Sequence, residues 1–324
     1  MEISNNIDET VWWSVAKECE YATFFHTPLW HKLATKTYPN YSDETIIIRF
    51  ENGKEILLPL LSVNADAKLF KRMHSTFAGC YGDLICGVII EPEEREKIYQ
   101  YLSADQLTQF QITENPIGPD NPLHLPLNQT DDFTHILMLE NSFDEIFANF
   151  SKGHRSSYKK GCKMGVTVRQ ANKMEDYLDY FDSYKDSLKR WGENASSNYP
   201  WQLFENGFHI AKEYPNNIKL WLAEVDNKII AGAWVFYWNQ YVVWWHGAAY
   251  EAFFNHYPNN VLQTEIIKDA FERGFRYYDF NPSGGHESVA RFKGRFGAEK
   301  WPFSRNVIDS PLIRFGKKFK RWIR

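Results

Sequence analysis

Cysteine is scarce in this sequence, with four residues among 324: Cys19, Cys80, Cys86 and Cys162. Their spacing matches no zinc-binding pattern, and so few cysteines are atypical of a disulfide-stabilised secreted domain. We therefore expect reduced thiols that are mostly buried. The ten histidines form no close pairs typical of a metal centre, so we predict no metal site.

Long apolar runs are also missing. No segment approaches the roughly 20 apolar residues that a membrane-spanning helix needs. Residues 1–6 are polar and acidic, unlike a secretory signal. The net charge of −4 argues against binding to nucleic acid through the bulk charge of the whole protein. Together these features predict a cytoplasmic globular protein.

Aromatic residues are abundant, at 17% of the chain, and include 12 Trp and 18 Tyr. Their apolar faces and polar tips are typical of large, partly polar clefts. The chain length suggests two domains. A stretch rich in Pro, Asn and Asp at 115–132 is the best linker candidate, so we predict domains at 1–132 and 133–305, followed by a tail at 306–324.

Two β-hairpins indicate an internal repeat. Residues 45–60 place an Asn-Gly turn between two apolar runs, and residues 218–236 place Asp226-Asn227 between two more. The echo suggests two α+β units. Helices are predicted within 10–37, at 92–102, around 152–163 and at 260–273, with further strands at 81–90, 135–139, 166–169, 241–245 and 275–280.

The most informative stretch is 279–297. An aromatic strand leads into the turn DFNPSGG at 279–285, and RFKGRFG follows at 291–297. Glycines let backbone amides approach a ligand, and the basic residues can meet a phosphate or a carboxylate. The stretch is either an anion site at the end of a strand or a hairpin with a solvated basic edge.

Several segments in order resemble Fem-type (FemAB-like) aminoacyltransferases and their relatives among GNAT-superfamily N-acyltransferases. The resemblance extends from about residue 20 to residue 305. The segments that carry it are FFHTPLW at 24–30, RSSYKKGCKMG at 155–165, WLAE at 221–224, AGA at 231–233, residues 259–280 and RFKGRFG at 291–297.

The resemblance implies an α+β fold of two tandem GNAT-like domains, each a mixed, mostly antiparallel sheet flanked by helices. It implies transfer of an acyl or aminoacyl group to an amine. Two departures bear on the donor. Residues 256–260 read HYPNN where GNAT enzymes have a glycine-containing pyrophosphate loop, and no heptad-bearing arm typical of tRNA-binding Fem ligases is present. The donor is therefore either aminoacyl-tRNA or acyl-CoA, with no tightly bound cofactor.

Lys293 is the first candidate catalytic residue, because in the resembled family the lysine of this motif is implicated in phosphate binding and charge stabilisation; the alternative is a surface lysine. Arg291 would face the same side of a strand and share the anion, or form a structural ion pair. Asp279 is a candidate base or a turn cap, and Asn281 has the same ambiguity. Glu224 is a candidate general base or a solvent-facing side chain.

The remaining candidates would bind substrate. Strand alternation places Trp244 and His246 on one face, where His246 either lines the cleft or is a packed histidine. Trp191, which follows Lys189-Arg190, resembles the family's Arg-Trp-Gly stretch and would wall the acceptor cleft. The other candidates are Ser283 and Gly284 in the turn and Arg155 and Tyr158 in a basic helical cluster, for which a solvated helix face is the alternative.

The predicted function is transfer of an acyl or aminoacyl group to an amine of a cell-envelope precursor, by direct attack because no Ser-His-Asp or Cys-His signature is present. The alternatives are a conventional acetyl-CoA-dependent N-acetyltransferase and a non-catalytic precursor-binding module. Residues 312–324 combine an apolar stripe with basic flanks. This tail is predicted either to contact an anionic membrane, on the inner face of the cell membrane, or to pack on the acidic body of the protein.

Overall fold

The structure is a computed structural model that describes residues 1–63, 70–119, 128–195 and 197–315. The chain divides into two compact units. The first comprises Met1–Phe133 and the chain from Pro302 onward, and the second is Thr134–Trp301. The sequence at 302–305, which we assigned to the second domain, is thus grouped with the first unit.

Both units contain helices and strands. The helices are α1 (Glu9–Glu18), α2 (Pro28–Thr37), α3 (Pro92–Ala104), α4 (Phe143–Asn149), α5 (Lys152–Lys163), α6 (Met174–Trp191), α7 (Trp201–Glu213), α8 (Pro258–Glu272) and α9 (Glu287–Gly294). The strands are β1 (Glu2–Ser4), β2 (Ser42–Asp43), β3 (Ile46–Arg49), β4 (Glu55–Leu58), β5 (Leu61–Ser62), β6 (Lys71–His74), β7 (Thr108–Thr113), β8 (Asn128–Met138), β9 (Thr167–Gln170), β10 (Ile218–Val225), β11 (Lys228–Trp238), β12 (Tyr241–Ala249), β13 (Tyr277–Asp279) and β14 (Glu299–Ile308).

The sheets are mixed and mostly antiparallel, as predicted. In the first unit, β1-β3-β4 form one sheet, and β2-β5-β6-β7 form another in which β6 and β7 are parallel. The last residues of β14 pair with β7. In the second unit the order is β8-β13-β12-β11-β10-β9, with β12 and β13 as the parallel pair.

Local turn chemistry explains both predicted hairpins. Gly53 has φ 79° in the β3–β4 turn, a conformation that glycine adopts without steric cost. Asp226 and Asn227 have φ 49° and 61° in the β10–β11 turn, and Asn and Asp tolerate this left-handed region better than most residues. The hairpins are therefore confirmed.

Two predicted strands are wrong. Residues 81–90 contain a single isolated bridge between Ile85 and Leu57 and no strand, because this largely buried segment bonds mainly through separate loop contacts. Residues 291–293 lie in helix α9 rather than on a strand returning from the glycine turn. The second error changes the geometry of the candidate site.

The core of the second unit lies on one sheet face beneath α4, α5, α8 and α9, and includes Val242, Ile266, Tyr278, Phe280 and Phe296. Helices α6 and α7 cover the other face with aromatic side chains. In the part of the chain that the structure describes, no helix is long and apolar enough to cross a membrane. The thiols of Cys19, Cys80 and Cys86 are buried, and that of Cys162 is exposed.

Candidate active site of the second unit

Strands β12 and β13, the parallel pair of the second unit, stop pairing at the carboxyl end of β13. Strand β12 pairs with β13 through Tyr241–Tyr277, Val242–Tyr278 and Val243–Asp279, and β12 then continues to Ala249. After β13 the chain turns away, with φ 60° at Asn281. Ligand sites in sheets with parallel strands commonly lie at such carboxyl ends.

Lys293 lies at this point of divergence. Its side chain projects from α9 and is 4% exposed. Its Nζ donates to the carbonyl oxygens of Asn281, at 2.7 Å, and of Pro282, at 3.1 Å. It also lies 5.7 Å from the ring centroid of Trp244. A buried ammonium group is thereby held at the end of β13, with two carbonyls and an aromatic face to offset its desolvation.

Asp279 shapes the turn that Lys293 contacts. The side chain is fully buried, and its Oδ1 accepts hydrogen bonds from Thr134 Oγ1 at 2.5 Å and from the Asn281 backbone N at 2.8 Å. These contacts support the turn-capping hypothesis for Asp279. Asn281 contributes its backbone carbonyl to Lys293, and Ser283 and Gly284 follow in the same turn.

A β-bulge separates Trp244 from His246. The register of β11 against β12 shifts between Trp234–His246 and Val235–Trp244, so that Trp245 is an extra residue. Trp244 consequently contacts Phe280 and Phe292 on the α8–α9 side. The prediction that Trp244 and His246 share a face is wrong, because a bulge reverses the alternation of side chains.

His246 lies in an aromatic cluster under α6 and α7. Its Nδ1 is 2.6 Å from Tyr180 OH, and its ring lies 4.6 Å from that of Tyr184 and 5.8 Å from that of Phe204. Burial lowers the pKa of His246 to about 3, so the imidazole is neutral near pH 7. The contacts favour the packed-histidine interpretation.

Arg291 and Glu224 lie apart from Lys293. In an α-helix, residues two apart point in nearly opposite directions, and Arg291 is exposed whereas Lys293 is buried. The prediction that they share one side is therefore wrong. Glu224 pairs with Arg169, with Arg169 Nε 2.9 Å from Glu224 Oε1, on β10, which is separated from β13 by β11 and β12.

Arg155 and Tyr158 form hydrogen bonds within the second unit. The guanidinium group of Arg155 donates to the carbonyl oxygen of Ala148, in α4, and to that of Phe150, just after α4. Tyr158 OH donates to Glu265 on α8 at 2.7 Å. These contacts connect α5 with α4 and α8, and the basic surface of α5 consists of the exposed Lys152, Lys159, Lys160 and Lys163.

Trp191 ends α6. Its ring is half-buried and lies 6.4 Å from that of Tyr184, and the Arg190 guanidinium lies 5.8 Å from it. Tyr184 OH in turn accepts from the backbone N of Tyr199 and donates to the carbonyl of Ser197. Trp191 therefore belongs to the α6–α7 connection, on the side of the sheet that also carries His246.

Sequence reasoning missed two histidines beside Lys293. His135 on β8 is 3% exposed, its backbone carbonyl accepts from Phe280 N at 2.9 Å, and its ring faces Gly294. Burial and then the charges of Lys293 and Lys300 lower the pKa of His135. His154 on α5 contacts the helix that carries Lys293. Neither histidine belongs to a local motif, so only the fold brings them here.

The start of α8 departs from a pyrophosphate-binding turn. Such a turn needs successive free backbone amides. Here Pro258 has no N–H, and the amide of Asn260 already donates to Tyr257 O at 3.1 Å. Tyr257 precedes them with φ 55°, and Lys160 Nζ lies 5.8 Å from its ring. The residues present therefore do not fit the conventional cradle for the coenzyme A pyrophosphate.

Within residues 1–63, 70–119, 128–195 and 197–315, no cluster of His, Cys, Asp or Glu has the composition to hold a metal ion. The predicted membrane-contacting tail at 312–324 lies outside the described residues beyond position 315. Leu312 and Phe315 are exposed, and membrane contact stays a prediction.

Residues 148–294, within the second unit, match the family described as Acetyltransferase (GNAT) domain. Comparison with curated proteins finds no match to this chain. Among solved structures, FemX has 13% sequence identity, a TM-score of 0.71 and coverage of 94% of this chain and 97% of that chain.

Two further structures share the fold. L-PGS from Bacillus licheniformis has 11% identity, a TM-score of 0.56 and coverage of 95% of this chain and 94% of its own. A tandem GNAT protein from the clavulanic acid biosynthesis pathway has 12% identity, a TM-score of 0.51 and coverage of 95% and 99%. The domain match confirms the prediction of a GNAT-type acyltransferase, and the shared fold confirms the Fem-like architecture of tandem GNAT-like units.

Proposed function

We propose that this chain transfers an acyl or aminoacyl group to an amine of a cell-envelope precursor, either a peptidoglycan or a polysaccharide intermediate, in the cytoplasm. The observation that carries the proposal is that β12 and β13 stop pairing beside the buried ammonium group of Lys293. The GNAT domain match covers both strands and Lys293. The Fem-type resemblance of the sequence supports the cell-envelope acceptor, and FemX shares the fold.

The proposed reaction is a direct attack. The lone pair of the acceptor amine forms a C–N bond with the acyl carbon, and the bond from that carbon to the donor's ester oxygen or thioester sulfur breaks. The amine nitrogen loses one proton to the leaving group or to solvent. The charge of Lys293 stabilises the negative charge that develops on the donor, and such a preorganised contact contributes about 3–4 kcal/mol to transition-state binding.

Aminoacyl-tRNA is the donor that we propose first, because the Fem-type resemblance implies it and the start of α8 lacks the usual cradle for coenzyme A. A conventional acetyl-CoA enzyme is the second candidate, favoured by the domain match alone. Calorimetry with acetyl-CoA is expected to show weak binding or none, and low-micromolar affinity would reverse this order.

The test uses purified protein, tRNA charged with radiolabelled amino acids or radiolabelled acetyl-CoA, and soluble UDP-linked muropeptides and amino sugars as acceptors. Mass spectrometry follows the label into the acceptor. We expect transfer from charged tRNA that depends on Lys293. Tight acceptor binding without transfer from either donor would instead support a precursor-binding module.

A further inference from the structure

The helix that carries Lys293 is short and is held from outside by the start of α5. His154, in the first turn of α5, is 6% exposed, and its Nε2 lies 3.0 Å from the carbonyl oxygen of Phe292. Phe292 immediately precedes Lys293. A side chain separated by 138 positions in the sequence thus contacts the peptide group that leads into the candidate catalytic residue.

A second hydrogen bond and two ring contacts reinforce this attachment. The Ser151 backbone N donates to the carbonyl oxygen of Arg295 at 2.8 Å. The imidazole of His154 lies 4.9 Å from the ring of Phe292 and 4.5 Å from the ring of Phe296. The last turn of α9 is therefore attached to the start of α5.

The attachment limits where the ammonium group can go. Lys293 reaches Asn281 O and Pro282 O only if α9 keeps its present position against the glycine turn. The carbonyl of Phe292 belongs to the rigid peptide group that joins Phe292 to Lys293, so a movement of this peptide shifts the Lys293 Cα with it. The hydrogen bond from His154 opposes that movement.

We propose that His154 is a positioning residue that holds α9 so that Lys293 stays buried against the turn at Asn281 and Pro282. The hydrogen bond to a carbonyl requires that Nε2 carry the proton. Burial, as the first cause, lowers the pKa of His154, the Phe292 carbonyl opposes this, and Arg295 adds to it. A neutral donor fixes the carbonyl without a second buried cation beside Lys293. Only the catalytic consequence of this positioning rests on the proposed function.

The test measures the accessibility of Lys293 without any assay of activity. Full-length protein is labelled briefly with an acetylating N-hydroxysuccinimide ester, and mass spectrometry quantifies modification of Lys293 against the exposed Lys159. The variants are His154→Leu, which removes the donor, and His154→Gln, whose amide nitrogen reaches the position of Nε2. Tyr237→Phe is the matched control, because it removes a buried hydrogen bond that Trp221, on β10, donates to the Tyr237 hydroxyl on β11.

We expect labelling of Lys293 to rise about tenfold in His154→Leu, the order expected when a buried hydrogen bond that opposes local opening is lost. His154→Gln and Tyr237→Phe should label like the unaltered protein. If His154→Leu does not fold, His154→Asn replaces it, because its shorter amide cannot reach Phe292 O. Equal labelling of Lys293 in the unaltered protein and in the variant without the donor would overturn the proposal, as would an equal rise in Tyr237→Phe.

Activity then separates the two claims. With whichever donor and acceptor support transfer, His154→Leu should lower kcat more than it raises KM, and His154→Gln should restore kcat. Failure of the glutamine to restore both protection and kcat contradicts the role of the hydrogen bond. A rise in labelling with unchanged kcat would leave the positioning role standing and would count against the catalytic role of Lys293.

Discussion

Each unit contains a parallel strand pair joined through a helix, and the two differ in what lies at the carboxyl ends of the strands. In the first unit β6 and β7 are joined through α3, and in the second β12 and β13 are joined through α8. Because the two pairs share this arrangement, the groups at the carboxyl ends of their strands can be compared directly.

In the first unit the chain itself fills the end of the strand pair. Ser75 N donates to Gln111 O, and Gly82 N donates to Thr113 O. Gly82 lies so close that a Cβ there would be 2.0 Å from Ser75 O, which only glycine permits. Below this segment Arg95 pairs with Asp83 at 2.7 Å, both almost fully buried. This ion pair connects the segment with α3.

In the second unit the corresponding end carries different groups. Lys293, Trp244 and the turn after Asp279 converge there, and backbone carbonyls receive the ammonium group. The helices differ in the same sense. The first turn of α3 carries Glu93 and Glu94, whereas that of α8 has no acidic residue. Under the proposed function, we expect the first pair to stabilise the fold and the second pair to support the reaction.

Arg95→Met should have the largest effect. It leaves the Asp83 carboxylate buried without its ion pair, and breaking such a pair typically costs about 3–5 kcal/mol. We expect the free energy of unfolding, measured in urea, to fall by that order, with unchanged turnover per folded molecule. The double variant Arg95→Met/Asp83→Leu removes both charges and should recover most of the loss. A loss of turnover in correctly folded Arg95→Met would contradict the comparison.

Lys293→Met should show the opposite pattern. We expect turnover to fall about 100- to 1,000-fold, equivalent to the loss of one preorganised charge contact in the transition state. Urea unfolding should change less than in Arg95→Met, because methionine retains the apolar stem of lysine. Lys268→Met, an exposed position on α8, is the matched control and should leave turnover intact. Near-normal turnover of Lys293→Met on the true substrate would move the active site elsewhere.

The sequence predicted the elements whose causes are local. The Asn-Gly and Asp-Asn turns fixed both hairpins, Pro28 marked the start of α2, and Gly274, with φ 78°, marked the end of α8. The order of family-like segments predicted the tandem architecture. These signals act over a few residues, so they can be recognised without knowledge of the tertiary structure.

The site could be predicted only in part. The glycine turn was singled out from residue types, and Lys293 was chosen from its motif in the resembled family. The helical conformation of 287–294 was not predicted, because the turn residues before it resemble a hairpin. The bulge at Trp245 has no sequence signal, and it decides which face His246 occupies. Glu224 is neutralised by Arg169, a partner 55 positions away. Contacts of this range depend on the complete fold.

The pH dependence of the free energy of unfolding tests whether each unit buries a neutral histidine. Burial lowers the pKa of His246 to about 3 and that of His26, in the first unit, to about 4, against 6.5 for a free histidine. Below pH 6.5 the unfolded chain binds protons that the native state does not, so the free energy of unfolding falls as pH decreases. Each histidine contributes a slope of up to about 1.4 kcal/mol per pH unit.

The variants His246→Gln and His26→Gln should each flatten this dependence between pH 6 and pH 4 by about one proton. Urea unfolding at pH 7, 6, 5 and 4 measures the slope. His209 is exposed on α7, so His209→Gln is the control. An unchanged slope in His246→Gln would mean that this imidazole is protonated in the native state, which conflicts with its aromatic surroundings.

The smallest expected effect concerns the two helix starts. Asn259→Glu adds a negative charge to the first turn of α8, which should raise the free energy of unfolding by about 0.3–1 kcal/mol at low salt. The same charge should repel a phosphate-bearing donor and raise its KM. Glu93→Gln in α3 is the reciprocal change and should lower stability by a similar amount without affecting KM, because the first unit is expected to bind no donor. If Asn259→Glu leaves the donor KM unchanged, then the start of α8 does not face the donor's phosphates, and the contrast between the helices reflects stability alone.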